Sequence, residues 1–321
     1  MNISVVGCGR WGSCIAWYLS AKKKHNVTLY GRRTSSDYQR FLATRKNEYL
    51  TLPEDLSLTD NLNEAITKSD IIVVSISSQQ FRGFLKELSP SIDVTGKIFV
   101  LCMKGLESST GKRLTQIFNE EIGAKCQVAV WVGPGHVQDF YAGKPSCMIV
   151  GSNDIETTKL LVHEFNSSLI RLYYGQDLIG TEIGAAAKNV MGIAAGMLDG
   201  LDCESLKGAL MARGAREVAR LVRAMGGNEL TIYGLSHLGD YQATLFSEYS
   251  HNRLYGENYI KGVKMTKLAE GVDTVRAILK LSELHNVDMP ISKAIYDIIY
   301  DEKDPKVVFE GMFDRENKFE F

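Results

Sequence analysis

Gly7-Cys8-Gly9-Arg10-Trp11-Gly12 follows an apolar run at residues 3–6 and opens a stretch with helical spacing. A strand, a G-x-G-x-x-G turn and a helix in that order form a nucleotide-binding loop. Gly7 permits the tight turn, Gly9 lets the backbone approach a pyrophosphate, and Gly12 allows close helix–strand packing. The helix N-terminus adds free N–H groups and a positive dipole end for phosphates. The start of the chain is thereby committed to a β-α-β unit.

Later runs agree. Residues 27–30, 71–76, 98–103 and 128–132 are continuous apolar stretches, the pattern of parallel strands covered on both faces. Residues 12–24 are long enough for a crossover helix, and Lys22-Lys23-Lys24 suits its C-terminus. From about residue 180 the character changes. Residues 180–200, 204–224, 272–284 and 291–300 repeat at helical spacing, with no strand-like run. The expected fold is a doubly wound (Rossmann) α/β domain over residues 1–180, then an all-α domain over 181–321. No Pro- or Ser-rich linker divides them, so tight packing is expected.

Composition narrows the function. Lys plus Arg (37) against Asp plus Glu (38) leaves a net charge of −1, so neither a nucleic-acid partner nor an anionic membrane surface is expected. No apolar run approaches the ~20 residues of a transmembrane helix, and the N-terminus has no leader-like basic region. Cys8, Cys14, Cys102, Cys126, Cys147 and Cys203 are scattered, with no C-x-x-C pair, and read as reduced thiols. A cytoplasmic enzyme or ligand-binding module without a metal is expected.

An NAD-specific second strand ends in an acid that binds the ribose 2′-hydroxyl. This one ends Tyr30-Gly31-Arg32-Arg33, with no acid before Asp37. Arginines attract a 2′-phosphate, so NADP is preferred over NAD, although both arginines could also belong to a solvated turn. Ligands in open α/β sheets sit beyond the carboxyl ends of the strands. Those ends read Ser75-Ile76-Ser77-Ser78-Gln79, Met103-Lys104-Gly105 and Gly133-Pro134-Gly135-His136, which together suggest a lined cleft.

In the helical half, Lys188 sits among small apolar residues between Glu182 and Gly196. Burial would depress its pKa and suit it to proton transfer, or its stem could cover apolar surface with its head in water. Lys104 is likewise a surface lysine or a functional one. Further on, 238–244 and 250–253 read as helix caps or as a phosphate cradle. Arg213, Arg216, Arg220 and Arg223 read as a solvated helix face.

These residues resemble the bacterial-type NAD(P)-dependent glycerol-3-phosphate dehydrogenases over roughly residues 3 to 290. The matching stretches include Gly7–Gly12 with Trp11, Asn47-Glu48-Tyr49-Leu50, Lys104-Gly105, Gly133-Pro134 with His136, Gly184–Asn189, Arg213-Gly214 with Glu217, Gly239-Asp240, Asn252-Arg253 with Gly256, and Glu270-Gly271-Val272 with Thr274. The resemblance implies interconversion of dihydroxyacetone phosphate and sn-glycerol 3-phosphate, mainly as a reduction feeding glycerophospholipid synthesis, by a homodimer. It implies Lys188 as general acid/base, with Lys104 and Asp240 also catalytic. Gly7, Gly9, Arg10, Trp11, Gly12, Arg32, Arg33, Lys104, Val137, His251, Leu268 and Glu270 would hold the dinucleotide. Lys104, Gly133, Gly135, Lys188, Asn189, Asp240, Thr244, Ser250, His251 and Asn252 would hold the phosphorylated substrate.

Some residues depart from the pattern. The family usually has Ser-Arg-Asn where this chain has Ser250-His251-Asn252, which leaves His251 or Arg253 to replace that arginine. The third strand end lacks the usual Val-Pro-Ser, and residues 135–139 match loosely. Two rival readings remain: a β-hydroxyacid or ketopantoate-type reductase, which would not need the cradle at 250–253, and a catalytically idle NADP sensor, which would not need Lys104, Lys188 and Asp240 together.

Overall fold

The apolar runs become strands of one sheet in the computed structural model, which describes residues 1–88, 92–265, 267–317 and 319–320. The strands are β1 (Asn2–Val6), β2 (Asn26–Tyr30), β3 (Ser57–Thr59), β4 (Ile71–Val74), β5 (Ile98–Leu101), β6 (Gln127–Val132), β7 (Ser146–Ser152) and β8 (Ile170–Gly175). They lie in the order β3-β2-β1-β4-β5-β6-β7-β8. The doubly wound fold is as expected, with one amendment. The sheet is parallel through β6, but β7 runs antiparallel to β6 and β8 parallel to β7.

Three strands are not legible in the sequence, for physical reasons. β3 has three residues. β8 is an edge strand whose Ile170 and Leu172 are buried while Arg171, Tyr173 and Tyr174 face outward, so no continuous apolar run marks it. β7 mixes Ser and Gly with its apolar residues. The first helix also differs: it starts at Arg10, inside the loop, and its last turn (Tyr18–Lys22) is wound wide. Lys23 of the lysine run donates to the Asn166 carbonyl at 2.7 Å.

The chain order reverses between β1 and β4, which opens a crevice at the carboxyl ends of those strands. Register aligns Val6 with Val74 and Val74 with Leu101, bringing Gly7, Ser75 and Cys102 side by side at the crevice floor.

The helical half is built around Leu178–Gly200, a helix buried along nearly its whole length. Asp177 starts it by accepting from the Gly180 N–H at 3.0 Å. Helices Lys207–Ala224, His251–Ile260, Glu270–His285 and Pro290–Ile299 pack around it. Glycines set the tightest crossing. A Cβ on Gly196 would lie 1.8 Å from the Arg253 carbonyl oxygen, and one on Gly256 would lie 2.1 Å from that of Ile193.

The two halves are bonded directly. The buried Glu182 carboxylate accepts from the Thr115 N–H (2.9 Å), the Thr115 hydroxyl (2.6 Å) and Arg113 (2.6 Å). Gln79 donates to the Leu106 carbonyl at 2.7 Å, and Leu106 belongs to the core of the helical half.

Candidate active site

A cleft of about 650 Å³ runs from the glycine loop to the buried central helix. At its base three charges meet on one carboxylate oxygen. Asp240 Oδ2 lies 3.0 Å from Lys188 Nζ and 2.8 Å from Lys104 Nζ. Lys188 also donates to Thr244 Oγ1 at 2.6 Å, and Lys104 to the Gly133 carbonyl at 2.7 Å. Two ammonium groups and one carboxylate leave one net positive charge.

Burial is the largest influence on Lys188 and lowers its pKa to about 8. Asp240 opposes that fall, and Lys104 adds to it by repulsion. The lysine is therefore mostly protonated at neutral pH but able to release its proton. Glu270, the first residue of its helix, is close enough to feel both lysines. Burial pushes its carboxyl up, and hydrogen bonds from Ser78 pull it down.

Asp240 is held by a residue the sequence reading missed. His237 is fully buried, and burial lowers its pKa to about 4, so the ring is neutral. Nδ1 lies 2.8 Å from the Gly184 carbonyl, an acceptor, and Nε2 lies 2.6 Å from the Tyr241 hydroxyl. Nδ1 therefore donates and Nε2 accepts. Since the Asp240 N–H donates to the His237 carbonyl, this ring ties the aspartate's turn to the Lys188 helix one turn before the lysine. The available signal was spacing: His237 stands three residues before Asp240 and four before Tyr241.

The amides expected to hold the substrate already have partners. Asn189 Nδ2 donates to the Lys104 carbonyl (2.7 Å), Asn252 Nδ2 donates to Asn189 Oδ1 (3.0 Å), and Asn252 Oδ1 accepts from the Gly271 N–H (2.9 Å). This relay fixes the backbone of Lys104 to the helical half. Ser250 caps the helix His251–Ile260 by accepting from the Arg253 N–H at 3.3 Å. Both Ser250 and Asn252 still line the cleft, as do Gly135, Val137, His251 and Leu268. Arg253 does not replace an arginine at 251: its Nε lies 2.6 Å from Asp199 and its Nη2 3.4 Å from Glu257, on the far side of the helix.

The glycine loop has the shape a dinucleotide requires. A Cβ on Gly12 would fall 1.9 Å from the Gly7 carbonyl oxygen, while a Cβ on Gly9 would meet nothing within 4 Å. The backbone is therefore packed at Gly12 and open at Gly9. The buried indole N–H of Trp11 lacks a protein acceptor, which suits a ligand acceptor there. A second recess of about 300 Å³ lies between Gly7, Gly9, Gly31 and Arg32 beyond β2. Arg32 stands 3.7 Å from Glu87, which offsets part of its charge. Arg33 stands apart, 3.8 Å from Asp60.

The pattern of the NAD-dependent glycerol-3-phosphate dehydrogenase N-terminus matches residues 2–158, and that of the C-terminus matches residues 177–310. The chain is 34% identical over 333 aligned positions to the glycerol-3-phosphate dehydrogenase [NAD(P)+] of Pelodictyon phaeoclathratiforme, covering 100% of this chain and 99% of that one. It is 36% identical over 318 positions to the Prosthecochloris aestuarii protein of the same name, covering 94% and 95%. The crystal structure of glycerol-3-phosphate dehydrogenase from Coxiella burnetii superposes with a TM-score of 0.91 at 26% identity, over 98% of this chain and 99% of that one. A probable 2-dehydropantoate 2-reductase from Bacillus subtilis shares the fold at a TM-score of 0.59 and 17% identity. The chain belongs to the NAD-dependent glycerol-3-phosphate dehydrogenase family.

Proposed function

We propose that this protein interconverts dihydroxyacetone phosphate and sn-glycerol 3-phosphate with NADP or NAD, mainly as a reductase that feeds glycerophospholipid synthesis. The observation that carries this reading is the Lys188–Asp240–Lys104 cluster, which opens on the same cleft as the glycine loop. A sensor needs no such cluster. Residues 1–180 act as the dinucleotide-binding domain and 181–321 as the substrate domain, working as a homodimer in the cytoplasm. Among the described residues no helix is long and apolar enough to cross a membrane.

Gly7, Gly9, Trp11 and Gly12 hold the dinucleotide, with Val137, Leu268 and Glu270 along the cleft and Arg32 in the outer recess. When bound, the nicotinamide supplies or accepts the hydride. The substrate's carbonyl oxygen lies against Lys188. As negative charge builds there, the ammonium stabilises it and transfers its proton. Lys104 keeps a positive charge beside that oxygen, and Asp240 orients both lysines. In the oxidative direction neutral Lys188 takes the proton from the hydroxyl.

The test is oxidation of NADPH, and separately NADH, by purified protein with dihydroxyacetone phosphate or unphosphorylated dihydroxyacetone. Fast turnover with the phosphorylated ketone alone, and better with NADPH, is the expected result. Turnover with 2-dehydropantoate in its place would favour the reductase rival, and dinucleotide binding without turnover on any ketone would favour the sensor.

A further inference from the structure

A substrate with a doubly charged phosphate needs cations, and most of those near the cleft are already committed. Lys104 and Lys188 share Asp240. Arg253 is turned to Asp199 and Glu257. Lys267 is exposed at the rim. His136 and His251 line the cleft, but burial and the nearby Arg10 charge hold both below the ordinary histidine value, His136 at about 4. His136 enters the site as a neutral ring, and His251 is shifted in the same direction.

Arg10 is different. It projects from the glycine loop towards the helical half, where Nη1 donates to the Tyr249 carbonyl at 3.1 Å. Nη2 donates to Gln138 Oε1 at 3.1 Å and lies 3.4 Å from His136 Nδ1. The guanidinium stands 5.2 Å from the centre of the Tyr49 ring. All these partners are neutral, and among the described residues no carboxylate pairs with it. A guanidinium carries five N–H donors, so about two remain for a ligand.

We infer that Arg10 is the residue that binds the substrate's phosphate, setting the preference for a phosphorylated ketone. The inference rests on the function proposed above. The loop cradles a pyrophosphate with its backbone, which leaves the Arg10 side chain for a second anion. His136 sits 3.4 Å from this guanidinium and also feels the Lys188 and Asp240 charges. Arg10, Lys188 and Asp240 line the same cleft, which suits a small molecule with a phosphate at one end and a reactive oxygen at the other. Planar bidentate recognition of phosphate is what a guanidinium provides and a neutral imidazole does not.

The test uses Arg10→Met, with circular dichroism and thermal melting to establish folding. KM for dihydroxyacetone phosphate should rise about 30-fold, while kcat and the KM for NADPH change less than about threefold. The rate with unphosphorylated dihydroxyacetone should fall far less than the rate with the phosphorylated ketone. Calorimetric binding of glycerol 3-phosphate to NADP-loaded protein should weaken in parallel. Adding His251→Arg, which returns a guanidinium to the same part of the cleft, should recover much of the loss. A rise in the NADPH KM alone, or unchanged KM and binding, would overturn the inference. Should wild-type protein fail to turn over dihydroxyacetone phosphate, the functional reading falls. Titration with inorganic phosphate then still decides Arg10: binding abolished by Arg10→Met upholds the anion site, and binding retained overturns it.

Discussion

Lys188→Met is expected to lower kcat for dihydroxyacetone phosphate reduction by about 10³-fold while leaving the fold intact. A positioned general acid contributes about 10² to 10⁴ in rate, and loss of its charge at the developing oxyanion acts in the same direction. Stability should follow a different course. Lys188 is buried, and its lowered pKa shows that the fold disfavours its charge. Methionine has similar volume and no charge to desolvate. Asp240 is not stranded by the change, since Lys104 remains 2.8 Å away. The melting temperature should therefore hold or rise. A folded variant that kept more than about a tenth of wild-type kcat would remove Lys188 from the role of proton donor.

Gly196→Val should be the most damaging single change to stability. At an ordinary helix position, replacing glycine with a residue bearing a side chain is neutral or favourable. Here the first added carbon would overlap the Arg253 carbonyl oxygen at 1.8 Å, with the Glu257 nitrogen at 2.9 Å, and these are backbone atoms that cannot rotate away. Relief requires the helix His251–Ile260 to move off Leu178–Gly200. Overpacking typically costs about 1–3 kcal/mol, and valine at a backbone–backbone crossing belongs at or above the top of that range. Against a net stability of about 5–15 kcal/mol, a melting temperature lower by several degrees, or insoluble protein, is expected. Any soluble fraction should also bind substrate poorly, because the displaced helix carries His251 and Asn252. An unchanged melting temperature would mean that the two helices do not cross at this distance.

The sequence marks what is continuous and hides what is assembled. Buried parallel strands announce themselves as unbroken apolar runs, so β1, β2, β4, β5 and β6 are legible. The half-exposed edge strand β8 shows only partial patterning, and in the reversed β7 Ser and Gly interrupt the apolar run, so neither is legible. Lys104, Lys188 and Asp240 can be picked out as suspicious residues one at a time, yet nothing in their spacing says that a single carboxylate oxygen serves both lysines. His237 escapes because a lone histidine in a polar loop reads as surface, and only the fold makes it a buried link to Gly184. The same holds for Arg253: adjacent in sequence to the cradle, it lies on the opposite side of its helix, against Asp199.

Burial, opposed by Asp240 and assisted by Lys104, sets the Lys188 ammonium to titrate near 8 as the proton donor. It is tested by the pH dependence of kcat/KM between pH 7 and 10, above the substrate phosphate's second ionisation at about 6. Reduction uses protonated Lys188, so kcat/KM for dihydroxyacetone phosphate should be level below about 8 and fall about tenfold per unit above it. Oxidation of glycerol 3-phosphate uses the neutral amine and should rise through the same point. Asp240→Asn removes the charge that holds the lysine's pKa up, so the break should move to lower pH. Reduction that stayed level to pH 10, or a break that Asp240→Asn left in place, would rule out Lys188 as the proton donor tuned by Asp240.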